Sequence, residues 1–216
     1  MATGCPNLRR TALTRPDLHV PGAAVAETLA WVDRAVIGLN LCPFARAVRV
    51  KGQLRCVVSN ATDTETLLRT LCDEAQRLRD TDPVLCDTTL LVHPQVLGDF
   101  ADHNDFLDVA EAALSEMGCD GELQLTSFHP DYQFEGTEPD DVTNATNRSP
   151  YPTLHLLREA SIDRAVQAFP EAEAIYEVNL HTMESLGPAG WQALQVQCRR
   201  DAAEAAASGS TPPAPA

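Results

Sequence analysis

Two apolar, strand-like runs in this sequence close on the same dipeptide. LLVHP places His93, and TSFHP places His129, at the C-terminal end of a predicted strand, where ligands of open α/β sheets gather. A neutral imidazole is the commonest side-chain metal ligand and also a general base poised near neutral pH. Either histidine alone is explained as a polar strand terminus before a proline-driven turn; the repetition singles them out. Downstream, His155 and the acids Asp131, Asp140 and Asp141 offer the remaining ligands of a two-histidine-plus-carboxylate or three-histidine site. His93, His129, His155 and Asp141 are therefore the candidate set for a divalent metal ion, although no local HxH or HExxH pair anchors it.

Cys42 is the thiol whose setting fits chemistry, because IGLNLCPFA puts it in a turn before Pro43 instead of in an apolar stripe. A nucleophilic thiolate needs a histidine, a cation or a helix N-terminus to lower its pKa, and His93 or His129 would supply that in space. Packing beside Phe44 is the structural alternative, since free cysteine is among the most buried residue types. Arg148 stands in NRSPYP ahead of a run carrying His155 and Arg158. If that run is a helix, its N-terminus attracts anions, and Arg148 adds a bidentate fork. Asn144, Asn147, Tyr132 and Arg158 complete the candidate substrate-binding set. An Arg148 pairing with Asp140 or Asp141 inside the loop accounts for it equally well.

These groups need elements to hold them. Residues 1–22 read as a flexible arm, 23–206 as a single globular domain and 207–216 as a disordered tail. Spacing predicts a helix from Ala23 with Val25, Leu29, Val32 and Val36 inward, and a strand over Leu54–Val58 with an antiparallel edge possible at Val48–Val50. A helix capped by Thr62, with Glu65 completing the capping box, follows. Next come a strand over Cys86–Val92, a helix over Asp102–Met117 and a strand over Glu122–Phe128. Thr153–Phe169, a helix from Pro170 stopped by Gly187, and a last helix from Pro188 finish the chain. The fold class expected is α/β: a small three- to four-stranded, mostly parallel sheet with helices packed on it and extra C-terminal helices. A ferredoxin-like α+β sandwich is the alternative.

Sixteen basic against thirty-one acidic residues leave a net charge of −15. Such a field opposes nucleic acid and anionic membranes as partners, because phosphates reward Lys and Arg. No apolar run approaches the roughly 18 residues of a membrane span. The N-terminus lacks a hydrophobic signal core, and seven cysteines without a CxxC pair suit a reducing, cytoplasmic setting. Oligomeric state is not legible.

The stretches IGLNLCPFA, FHPDYQFEGTEPDDVTNATNRSPYPTLHLLRE and IYEVNLHTMESLG resemble a bacterial family catalogued as number 1415 among the domains of unknown function, over about Ala24 to Leu194. The resemblance implies neither a reaction nor a cofactor. It marks Cys42, His129, Asn147, Arg148 and His155 as family-motif positions. The functional expectation is an enzyme acting on a small anionic metabolite through histidine acid/base or metal-assisted hydrolytic chemistry. The alternatives are a non-enzymatic metabolite- or protein-binding module using the 128–159 loop, and an assembly protein in which that loop is a hydrogen-bonded plug.

Overall fold

A computed structural model describes residues 21–168 and 174–208. Helix α1 (Pro21–Trp31) runs into a wider π-helical segment, Val32–Ile37, before the short α2 (Ala45–Val50). Then come β1 (Leu54–Val58), α3 (Thr64–Asp80), β2 (Thr88–Val92), α4 (Phe100–Glu116) and β3 (Leu123–Phe128). A 3-10 turn at Val142–Asn147 interrupts the long loop, and β4 (Thr153–Arg158), α5 (Glu159–Ala168) and α6 (Ile175–Ser208) follow. Most of the predicted arm, Phe169, the helix start at Pro170 and most of the predicted tail lie outside the described residues. Among the described residues no helix is long and apolar enough to cross a membrane.

Local signals set most boundaries. Asp63, one residue past the expected cap, takes that role: its Oδ1 accepts the Thr66 N–H at 2.8 Å, satisfying a helix-start donor. Asp99 caps α4 in the same way, accepting from Ala101 and Asp102, so the helix begins ahead of the expected Asp102. Gly187 breaks the long C-terminal helix at φ 67°, ψ 171°, a conformation that glycine adopts freely, with Pro188 restarting it. Val48–Val50 belongs to α2 and does not form the expected sheet edge.

The largest departure is Thr153–Arg158, expected to be helical and found as a strand. TLHLLR has good helix formers, yet it lies between β2 and β3 and is covered on both faces. A buried central strand reads as a nearly continuous apolar run, so its period is hidden, and tertiary pairing overrides propensity. The sheet order is β1-β2-β4-β3, with β1–β2 parallel and β4 antiparallel to both β2 and β3. The architecture is thus α/β with a four-stranded mixed sheet, and the expectation of a mostly parallel one is corrected. The strands β2 and β3 still point the same way, but β4 separates them. The ferredoxin-like alternative shares this split β–α–β unit, though not the β–α–β–α–β–β order seen here.

One face of the sheet packs Leu91, Leu154 and Leu156 against Leu67, Leu71, Phe106 and Ala110 of α3 and α4. The other face packs Leu90 and Phe128 against Trp31, Val32, Ala145, Met183 and Trp191. Alternation along β4 puts Leu154 and Leu156 on the first face and His155, in register with Leu90 and Thr126, on the second.

Candidate functional site

The strand-end histidines do share one rim. His93 and His129 each follow a residue on the second face, so both turn toward α4, and both are fully buried. Between them comes His103, from the first turn of α4, also fully buried. The His93 and His103 rings lie 5.4 Å apart at 16°, and His103 and His129 lie 5.1 Å apart at 42°. Phe100 and Tyr132 extend the stack, with Phe100 5.5 Å from His129 and 5.1 Å from Tyr132. His103 is not among the candidates read from the sequence, since it lies inside a helix with no motif around it. A signal was available, since His103 shares the buried stripe of Phe106, Ala110 and Leu114.

Hydrogen bonds set two tautomers. His93 Nδ1 lies 3.0 Å from the Val96 carbonyl, which only accepts, so Nδ1 carries the proton and Nε2 is left bare and unpartnered. His129 Nδ1 accepts the Asp131 N–H at 3.0 Å, so its Nε2 donates to Leu97 O at 3.3 Å. Neither ring nitrogen of His103 has a partner. Burial pushes His93 down to about 4 and His103 down to about 3, and it lowers His129 as well. All three are neutral at pH 7.

His155 is elsewhere. It lies on the opposite face, where Thr88 Oγ1 stands 2.6 Å from its Nε2. Since the Thr88 hydroxyl donates to Leu156 O at 2.8 Å, it accepts from His155, whose Nδ1 is bare and buried. Desolvation takes this imidazole down to about 4. Asp141 is spent on Thr143, accepting its N–H at 2.9 Å and its hydroxyl at 2.7 Å, bonds that lower its pKa. His93, His129, His155 and Asp141 are therefore not one donor set. Among the described residues no group of three His, Cys, Asp or Glu is placed to hold a metal ion.

The loop residues hold one another. Asn144, fully buried, accepts the Phe134 N–H at 2.9 Å and donates to Glu138 O at 2.9 Å. Arg148 donates to Tyr132 O at 3.1 Å and to Pro139 O at 2.7 Å. The Asn147 carbonyl accepts the His129 N–H at 3.3 Å. The helix N-terminus expected after Pro152 is absent because β4 starts there, so Arg148 has no such terminus beside it.

Cys42, His155 and Arg158 do come together, in the wall of a cleft of about 840 Å³ on the second face. The π-helical segment, α2, the sheet and α5 frame it, with Trp31, Val36, Phe44, Leu90, Phe128 and Leu157 among its apolar walls. Burial raises the pKa of Cys42 and outweighs the nearby Phe44 and Ala45 backbone groups, which lower it. The thiol is protonated at pH 7. Arg158 is tied down by the carbonyls of Leu78, Thr81 and Cys86, the last two at 2.6 and 3.3 Å.

Two of the resembling stretches, IGLNLCPFA and the long central one, thus supply this cleft. Residues 23–193 match the family described as a protein of unknown function, DUF1415. The chain belongs to that family. Comparison with curated proteins and with solved structures returned no match. In this DUF1415 chain the matched region spans the sheet, the histidine stack and the cleft.

Proposed function

We propose that the chain binds a small organic molecule in the cleft against the second face of the sheet. The cleft itself carries the reading. Its volume of about 840 Å³ falls within the roughly 300–1,000 Å³ of small-molecule sites, which are mostly apolar with a few polar groups. Thr88, His155 and Cys42 are among those groups here. The histidine stack is fully buried, and the 128–159 loop spends the buried Asn144 amide and the half-buried Arg148 guanidinium on its own backbone, so neither supports a ligand reading as well.

Catalysis on the bound molecule would draw on Cys42 and His155. Burial holds one as a thiol and the other as a neutral imidazole, which supports binding ahead of a resting thiolate–imidazolium pair. His155 lies on the face opposite His93 and His129, and Asp141 is spent on Thr143, so the candidate metal ligands do not fit one ion.

Nile red, a neutral apolar dye, tests the reading. Saturable one-to-one fluorescence enhancement is expected with wild type. Ala165→Trp, on the α5 wall, should weaken it at least tenfold at an unchanged thermal midpoint. A wild-type signal that never saturates would overturn the proposal.

A further inference from the structure

The charged lining of the cleft opposes the chain as a whole. The net charge is −15, yet the cleft lines Lys51, Arg158 and Arg164 against the single acid Asp87. Backbone pairing gathers these at one end. The carbonyl of Gln53, next but one to Lys51, accepts the N–H groups of Asp87 at 2.9 Å and Thr88 at 3.3 Å. Ser161 Oγ donates to Asp87 at 2.6 Å and accepts from Arg164 at 2.8 Å.

Asp87 is balanced, because Arg158 Nε lies 3.9 Å from its Oδ1. Lys51 and Arg164 make no ion pair among the described residues. Lys51 and Arg164 are both exposed, and two cations on the wall of a largely apolar cleft give it a positive field that attracts a negative charge. The other end is apolar, with Trp31, Val32, Val36 and Phe44.

We infer that the ligand is an amphipathic organic monoanion, with a carboxylate head at the Lys51–Arg164 end. Its apolar body runs along Leu54, Leu90 and Leu157 toward Trp31. The inference rests on the cleft being a small-molecule site, and adds what that molecule must carry.

Displacement of Nile red by sodium decanoate and by 1-decanol, in the intact chain, separates the two claims. Decanoate should displace the dye at least tenfold more effectively than decanol. The gap should close in the exposed-residue double variant Lys51→Gln/Arg164→Gln and narrow in 0.5 M NaCl, where charge attraction is screened. Equal displacement by both compounds overturns the anionic head while leaving the cleft reading in place. A decanoate preference unchanged in the double variant overturns its placement. If the dye binds in the cleft but neither compound displaces it, the amphipathic ligand class is overturned; if the dye itself fails to bind, the cleft reading falls, and the inference with it.

Discussion

His93 and His103 stack nearly parallel, 5.4 Å apart at 16°, although one ends a strand and the other opens a helix. Stacking in this way leaves their ring nitrogens without hydrogen bonds to each other. A buried imidazole with an unpartnered nitrogen resists charging, because the cation would lose water without gaining a partner.

Acid should therefore destabilise the fold through these groups. Folded values of about 4, 3 and 4 for His93, His103 and His155 lie below the ordinary 6.5. The unfolded chain takes up protons first as pH falls, so stability is fully present above about 6.5 and declines toward pH 4. The slope approaches about 1.4 kcal/mol per pH unit for each histidine that only the unfolded chain protonates. Urea midpoints at pH 7.0, 6.0 and 5.5 should fall for wild type and fall less for His103→Phe, which fills the same space without titrating. Identical slopes would remove His103 from the account.

Arg148 is a staple across the long loop. Arg148→Ala strands two carbonyls and should cost about 1–3 kcal/mol, with faster proteolysis between Pro130 and Asp141. Arg148→Lys should recover little, since an ammonium cannot span both acceptors as the planar fork does. Denaturant unfolding and limited proteolysis report both.

Asn144→Leu keeps the volume and removes the polarity. The Phe134 N–H and Glu138 carbonyl then lose the fully buried amide that pairs with both. A loss of about 2–3 kcal/mol is expected, larger than for Asp140→Ala on the exposed loop surface, and the two unfolding curves side by side decide it.

Cys42 should be sluggish. Its thiol is pushed up by burial, so a disulfide reagent at pH 7.5 should label it more slowly than the unfolded chain. Saturating decanoate should slow it further in the native protein. A native rate equal to that of the unfolded chain contradicts the burial argument.

Gly38 follows the π-helical segment, and a Cβ there would lie well inside van der Waals contact of the Arg34 carbonyl oxygen. Backbone must move to admit it. Gly38→Ala should cost about 2 kcal/mol or more, read as a lowered urea midpoint at constant slope.

Local chemistry decided a good share of this molecule. The Gly187-Pro188 break, the alternation of LQLTSF and the helical stripe from Leu67 to Leu78 act within a turn or two of chain. They are legible because their partners are sequence neighbours. The common rim of His93 and His129 followed from two like strand ends, and the motif stretches carried the family. Pairing across distance was not legible. TLHLLR satisfies a helix or a buried strand equally, and only the gap between β2 and β3 chose the strand. That choice turned His155 away from His93 and His129, dissolved the expected metal set, and put His155 in the wall of the cleft that Cys42 also lines. It also removed the helix end expected beside Arg148. His103 joined the rim because α4 brings it against His93 and His129. Lys51 and Arg164 became neighbours of one cleft through the Gln53–Asp87 backbone pairing. Each is a contact between segments far apart in the chain, and the free energy that selects among such contacts lies in burial shared by both partners, which neither segment encodes alone.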